Sequence, residues 1–319
     1  MNKNLKSKIF AMVISMPMFL AACYKTEPLV YDKASGPSLE INSLLTNSNE
    51  KETSFETAVN DPNPNSDPNR VNNVLYPFWP RNTTNGNEVQ RIQSGAGAKD
   101  GTWSAKFIWS ENNVLLSGGE PTRNTKGAEL TQDANFIKED GWFGGAYYLP
   151  TGGTNFPINK NTIILQGINN VNAGCTALNT WTWHLGIESD GKLYLTWRYG
   201  AGGSTKQFIA NAQVNLWKSL VIHVRYSRNG TGMIEVWHGD ATLNQSNPTF
   251  TISGINIGQD CWNGDSLQNG TPIKFGMYCH DHANYTNGET RVLYWDMPSV
   301  LVGNPSDAWR KVNPYQPNY

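Results

Sequence analysis

The sequence predicts an all-β protein in which two antiparallel sheets pack as a jelly-roll sandwich. Ten short segments are rich in Trp, Tyr, Ile and Thr, which are residues that fit a pleated sheet. Turn-forming pairs such as Asn229-Gly230 and Asn287-Gly288 separate these segments, and no stretch keeps a long 3.6-residue period. So many short strands suit two packed sheets. The predicted strands are 102–110, 141–149, 162–168, 180–187, 192–199, 206–211, 216–226, 233–238, 273–280 and 291–302.

The composition is that of a folded and nearly neutral protein. The 319 residues include 12 Trp, 13 Tyr and 11 Phe, and a disordered chain lacks aromatic residues in that number. The 25 Lys and Arg residues are balanced by 26 Asp and Glu residues, which gives a net charge of −1. Because no basic excess is present to neutralise phosphates, a nucleic-acid partner is not expected.

The N-terminus, residues 1–22, is predicted to be a lipoprotein signal peptide. Three lysines precede an apolar stretch over 9–22 that is too short for a comfortable membrane span. The end of this stretch, Leu20-Ala21-Ala22-Cys23, resembles a bacterial lipobox and implies that Cys23 is lipidated. Tyr24, in place of an aspartate, resembles sorting to the outer membrane, with the protein facing the periplasm or the cell surface. The alternative is an ordinary secretory signal with an incidental cysteine.

Residues 23–71 are predicted to form a lipidated N-terminus and flexible linker, and residues 72–319 the folded domain. The segment 60–69 holds three prolines and no apolar residue, and its Asn and Asp residues favour turns. The same residues suggest a calcium loop, but the glycine and the terminal glutamate of an EF-hand are missing. A structural Ca²⁺ elsewhere stays open, and no other cofactor is expected.

Period-two alternation places a reactive set of side chains on one face of the strand 273–280. Lys274, Gly276, Tyr278 and His280 share this face, and the opposite face is apolar. A Lys, a Tyr and a His together are costly to bury without partners. The glycine favours a binding face over an ordinary solvated one, because a mid-strand glycine often permits close approach of a ligand.

Two other strands carry polar side chains of interest. In 162–168, Gln166 is expected on the face opposite Ile163 and Leu165. His184 and His223 lie in apolar strands and are interpreted as satisfied core or edge histidines.

Three segments, in order along the chain, resemble motifs of the alginate-lyase and heparin-lyase-like polysaccharide lyases. Lys126-Gly127-Ala128-Glu129-Leu130 resembles an Arg-Ser/Ala-Glu-Leu strand. Ile164-Leu165-Gln166-Gly167-Ile168 resembles the family's Gln-Ile/Val-His strand, and the strand 273–280 resembles Tyr-Phe-Lys-Ala-Gly-Val-Tyr-Asn-Gln. Further similar segments at 142–150, 235–239 and 293–296 extend the resemblance over roughly residues 100–300. The resemblance implies a concanavalin-like jelly roll.

The resemblance also implies roles for individual residues. Tyr278 takes the place of the catalytic tyrosine, Gln166 that of the glutamine that contacts the substrate carboxyl group, and Glu129 that of the first motif's glutamate. The sequence departs from the pattern at two positions, because Gly127 stands where the family has arginine and Ile168 stands where it has histidine.

Substitutes for the missing cation are therefore expected nearby. Lys126 is adjacent to Gly127 but on the wrong face unless the strand bulges. Arg123 is in phase with Glu129 but lies farther along the chain. Both are candidate substrate-binding residues.

The reaction of such a lyase sets further requirements. The enzyme removes the C5 proton of a uronic acid and expels the 4-linked sugar, so the neighbouring carboxylate must be neutralised. Arg198 and Lys206 are the predicted substitutes for the missing arginine and histidine, and His280 is a candidate base. Lys274 and Tyr199 complete the predicted binding residues. For Tyr199 a packing role is equally open, because it shares a strand face with the apolar residues Leu193 and Leu195. The alternative for each of these side chains is an ordinary structural role, as a solvated charge or a packing residue.

Other signals are weaker. Cys279-His280-Asp281-His282 suggests zinc, but no second cluster with ligand spacing accompanies it, so no metal site is predicted. Cys175 and Cys261 lie in loops and are expected to form a disulfide, whereas Cys279 points to the apolar face as a buried thiol. The carboxylates Glu188 and Asp190 run into a turn and do not form the paired acids of a retaining glycosidase.

The sequence thus predicts a monomeric lyase that is anchored to the membrane through an N-terminal lipid. Its substrate would be an anionic polysaccharide containing uronic acid, of the ulvan, glucuronan or alginate type, cleaved by β-elimination. The alternative is a surface glycan-binding lipoprotein on the same fold that has lost its chemistry, since fold alone does not decide function. A hydrolase is a third interpretation.

Overall fold

The computed structural model confirms the predicted all-β sandwich of antiparallel sheets. The described part of the chain belongs to one compact unit that spans residues 42–319. The structure describes residues 50–52, 78–81, 89–93, 99, 101, 103–122, 125–132, 136–151, 156–168, 181–200, 202–240, 242–259 and 261–314.

The first sheet has eight strands, numbered here in chain order. They are β1 (Glu50–Glu52), β3 (Val89–Gln93), β4 (Trp103–Ser110), β8 (Asp140–Tyr148), β13 (Trp217–Arg225), β14 (Ser227–Gly239), β15 (Phe250–Ile257) and β19 (Thr290–Val302). Their order is β15-β14-β13-β8-β19-β4-β3, and β1 also pairs with β19. Residues 50–52 were predicted as linker, and their pairing with β19 corrects that prediction for this segment.

The second sheet has seven strands in the order β12-β11-β10-β9-β18-β7-β2. They are β2 (Phe78–Arg81), β7 (Gly127–Gln132), β9 (Thr162–Ile168), β10 (Trp181–Ile187), β11 (Lys192–Arg198), β12 (Ser204–Asn211) and β18 (Ile273–Tyr278). Two 3-10 helices, Glu111–Asn113 and His282–Asn284, follow β4 and β18 in the chain. Two small hairpins and one short α-helix complete the described elements. These are β5 (Leu116–Ser117) with β6 (Glu120–Pro121), β16 (Trp262–Asn263) with β17 (Ser266–Leu267), and α1 (Ala308–Val312).

All ten predicted strands are present, with ends that differ by a few residues. The predicted turn at Asn229-Gly230 is confirmed, because the hairpin of β13 and β14 reverses between the paired residues Arg225 and Met233, with Gly230 at φ +73°. β15 was missed because its residues Ser253, Gly254 and Asn256 interrupt the apolar pattern.

The core between the sheets is built around the ring of Phe275 on β18. This ring meets Phe78 of its own sheet at 4.9 Å between centroids. It also meets Phe143 and Trp295 of the first sheet at 5.8 Å and 5.7 Å. Because aromatic side chains bury large apolar areas, these contacts fix the central strand of the second sheet against the first.

The helix α1 packs against part of the outer face of the first sheet. Trp309 of this helix packs edge-on against Trp237 at 4.9 Å, in a second cluster of buried apolar residues. The outer face of the second sheet instead carries polar and charged side chains. No helix among the described residues is long and apolar enough to span a lipid bilayer.

Candidate active site

Two rows of side chains cross the outer face of the second sheet, which we call the site face. Residues that are directly opposite in neighbouring strands point to the same side of a sheet, so the register defines each row. The polar row is Lys274, Gln166, His184, Thr196 and Lys206. The aromatic row is Tyr278, Ile163, Gly186, Tyr194 and Phe208.

Register shifts in the pairing of β9 place Ile163 in the aromatic row. The pairing of β9 with both neighbours is irregular between Leu165 and Ile163, so that Ile163 lies opposite Gly186 and Tyr278. The expectation that Ile163 and Gln166 lie on opposite faces is therefore wrong, because an irregular strand does not keep period two. Tyr278 and Gln166 share the site face, as expected.

A buried polar cluster forms one end of the polar row. The Gln166 side chain donates from Nε2 to Oε1 of Glu129 at 2.5 Å. The Lys274 ammonium lies 3.6 Å from Oε2 of the same carboxylate. All three side chains are buried. Glu129 thus orients the amide of Gln166 and is neutralised by Lys274.

His184 lies beside Gln166 in the adjacent strand and was not predicted as a site residue. Its Nδ1 atom is buried and has no hydrogen-bond partner among the described residues, so the expected satisfied histidine is wrong. Burial, with the charges of His280 and Arg198, lowers the pKa of His184 to about 3. The imidazole is therefore neutral at ordinary pH. Alternation with the buried Trp183 and Leu185 is the sequence signal that places it on the site face.

Arg198 lies next to His184 and stacks over the ring of Trp181, with its guanidinium carbon 4.3 Å from the ring centroid. Its Nε donates to the Trp181 carbonyl at 2.8 Å. Its Nη2 is buried and lacks a partner within the described part of the chain. Desolvation lowers its pKa. A buried N–H without an acceptor is costly, and an anionic ligand would supply one.

Lys206 does not lie beside Tyr278. It is on the edge strand β12, and three strands separate β12 from β18. Its ammonium pairs with Glu188 at 2.7 Å and lies 4.7 Å from the centre of the Tyr194 ring. The prediction that it replaces the missing cation next to Tyr278 is wrong, because a sequence does not reveal how many strands intervene.

The remaining predicted site residues are spread along the edges of the site. His280 follows β18 and is exposed. Partial desolvation lowers the pKa of His280, and the charges of Asp281 and Glu188 act in the opposite direction. The Lys126 carbonyl accepts from the Cys279 backbone N–H at 2.7 Å, next to Tyr278. Tyr199 is not brought to the site; it bridges through its backbone to Gly258, beyond β15. Arg123 lies outside the described residues.

Two glycines near Tyr278 are required by packing. A Cβ on Gly127 would lie 2.4 Å from the Met277 carbonyl oxygen, so the arginine of the family pattern has no room here. Gly276 has φ +124°, and its Cβ would approach the Ala128 carbonyl to 2.4 Å and the Phe107 ring to 2.7 Å. Gly276 therefore serves the core, and the expectation that it admits a ligand is wrong.

Two of the four cysteines, Cys261 and Cys279, lie among the described residues. Cys261 is disulfide-bonded and Cys279 is a buried free thiol. Cys175 and Cys23 lie outside the described residues, so the Cys175–Cys261 pairing and the lipidation stay predictions. Within the described ranges, no three His, Cys, Asp or Glu residues cluster closely enough to hold a metal ion.

Comparisons with known proteins give a family and a fold. A family model described as polysaccharide lyase matches residues 84–298. No curated protein matches the chain by sequence. The endo-β-1,4-glucuronan lyase of the fungus Trichoderma reesei is 18% identical, with a TM-score of 0.51 over 72% of this chain and 90% of that chain. A PL-14 alginate lyase of Aplysia kurodai is 9% identical, with a TM-score of 0.51 over 80% of this chain and 98% of that chain.

Proposed function

Because the chain belongs to the polysaccharide lyase family, we propose that it cleaves an anionic, uronic-acid-containing polysaccharide by β-elimination on the site face. Ulvan, glucuronan and alginate are the candidate substrates, and the two solved relatives named above are a glucuronan lyase and an alginate lyase. The observation that carries the proposal is that Tyr278, Gln166 and His184 lie on one face of three neighbouring strands. The same face carries Arg198 on β11, which two strands separate from β18, and its Nη2 has no partner among the described residues.

Elimination first requires that the negative charge of the substrate carboxylate is neutralised. The C5 proton is weakly acidic while the carboxylate keeps its full charge, so donors must stabilise the enolate that forms. Arg198 offers a cationic N–H that has no partner in the described part of the chain, and Gln166 offers an amide group that Glu129 holds in a fixed orientation. Nδ1 of His184 has no partner among the residues that the structure describes, and the imidazole stays neutral, so it offers a hydrogen bond without competing strongly for protons.

Tyr278 is the proposed proton-transfer residue. As a phenolate it takes the C5 proton, and the electrons of the C5–H bond form the C4=C5 double bond. The C4–O4 bond breaks, and O4 leaves with its electron pair and receives the proton from the Tyr278 phenol. This sequence returns Tyr278 to its starting state, and general acid–base catalysis of this kind contributes roughly 100- to 10,000-fold in rate.

The non-catalytic alternative is favoured by one observation. The packing at Gly127 excludes the family's arginine, so the missing cation cannot come from that position. Under this alternative, the site face binds the polysaccharide without cleaving it.

The experiment is a panel of ulvan, glucuronan and alginate, monitored by the ultraviolet absorbance of the 4,5-unsaturated product. The proposal expects turnover on at least one polymer and a loss of about 100-fold or more for Tyr278→Phe. Tyr294→Phe, on the first sheet, is the matched control and should keep full activity. Binding without absorbance on every polymer would favour the non-catalytic alternative.

We also propose that Cys23 carries the lipid that anchors a monomeric enzyme to the outer membrane. The lipobox-like segment before Cys23 supports this location. In a bacterial host, Cys23→Ser should move the protein from the membrane fraction to the soluble fraction. If the variant stays with the membrane, the anchor proposal fails.

A further inference from the structure

Phe208 and Tyr194 form an aromatic pair at the edge of the site face. Phe208 is 45% exposed, and its ring meets the Tyr194 ring edge-on at 6.1 Å. A single exposed apolar residue is common and needs no explanation. This pair differs because it lies in the same cross-strand row as Tyr278.

Gly186 lies in the aromatic row between Tyr278 and Tyr194, and it presents no side chain on the site face. A Cβ on Gly186 would meet only ordinary contacts, the nearest being the Thr162 carbonyl oxygen at 3.4 Å. Gly186 has no positive φ, so neither the backbone nor the packing demands glycine at this position. The glycine instead leaves space on the outer face, which suits a ligand that runs along the row.

The length of the row matches an oligosaccharide. Four strand steps separate β18 from β12. At about 4.8 Å a step this distance is about 19 Å, or roughly four 1,4-linked pyranose units. A chain held at Tyr278 therefore reaches Phe208 with a sugar about four units from the cleaved bond.

The aromatic pair lies beside Lys206, a cation of the polar row. The Lys206 ammonium is half exposed above the Tyr194 ring, and its partner is Glu188. The Tyr194 hydroxyl donates to Asp190 at 2.8 Å, and Asp190 also pairs with Lys192 at 3.0 Å. A pyranose ring that stacks on Phe208 can therefore place its carboxylate near Lys206.

We propose that Phe208, Tyr194 and Lys206 form a distal subsite that binds a uronic-acid pyranose about four sugars from the bond that is cleaved. This inference rests on the proposed function, since the row is taken as the path of the polysaccharide. It gives Lys206 a binding role and predicts that the enzyme distinguishes long oligomers from short ones.

The test compares Phe208→Ala with the wild type on size-fractionated oligomers of the cleaved polyuronate. The measured quantity is kcat/KM for oligomers of eight or more sugars divided by kcat/KM for tetramers. The loss of one stacking ring should lower this ratio roughly fivefold to tenfold, through KM. Phe208→Tyr should restore the ratio. Leu216→Ala removes an equally exposed apolar side chain outside the row and should leave the ratio unchanged.

A Phe208→Ala ratio equal to that of the wild type overturns the proposal. If size-exclusion chromatography then shows a changed oligomeric state for Phe208→Ala, Phe208 is a self-association contact instead.

If no polyuronate is cleaved, the proposed function fails, and affinity electrophoresis on the same polymers still tests the subsite. Weaker retention of Phe208→Ala than of Leu216→Ala supports it, and equal retention overturns it.

Discussion

The ion pair between Glu129 and Lys274 gives a quantitative prediction for the site. The two groups are 3.6 Å apart, and their side chains are only 2% and 7% exposed. At an effective dielectric constant near 20, two unit charges at this separation attract by about 5 kcal/mol. Glu129→Gln keeps the shape of the side chain but leaves a buried ammonium without its carboxylate. We expect this change to lower the free energy of unfolding by about 3–5 kcal/mol.

A double-mutant cycle isolates the pair from other effects. Lys274→Met alone should also destabilise the protein, because it leaves a buried carboxylate. The double variant should recover most of the loss, since it removes both charges. Urea unfolding is the assay, because urea does not screen charges as a salt does. Single variants within about 1 kcal/mol of the wild type, or losses that simply add, would refute the reasoning.

Two further predictions concern His184 and Gly127. Burial holds the pKa of His184 at about 3, below the pKa of a histidine in the unfolded chain. The contribution of the neutral imidazole to stability is therefore complete above about pH 6.5 and is lost as the pH falls toward 3. The free energy of unfolding should therefore fall by about 2 kcal/mol between pH 8 and pH 5 because of His184. In urea titrations, His184→Gln should reduce this fall. An unchanged dependence on pH in the variant would count against a buried neutral imidazole. Gly127→Ala should lower the melting temperature through the clash with the Met277 carbonyl, and Gly127→Arg should not raise activity; a gain in activity would contradict the packing argument.

The sequence revealed the strands and the faces of β18 because both depend on local pattern. Phe275, Met277 and Cys279 alternate with Lys274 and Tyr278, and the structure buries the first set in the core. Period two is a property of the chain itself, so it can be read without knowing the neighbouring strands.

Features that depend on several strands could not be predicted. The distance of Lys206 from Tyr278 follows from the strand order, and the position of Ile163 follows from register shifts in two pairings. His184 has the alternation of a site residue, but only its pairing with Gln166 shows that it lies at the site. The resemblance supplied Gln166 and Tyr278, but it could not show which side chains replace the missing arginine and histidine.

The mass of the products formed from a polyuronate tests the central claim most directly. Elimination at the site face predicts a fragment that is lighter by one water than the hydrolysis product, with a vinyl proton at C4 in its NMR spectrum. Fragments that have gained water and carry no C4 vinyl proton would show hydrolysis and would contradict the account.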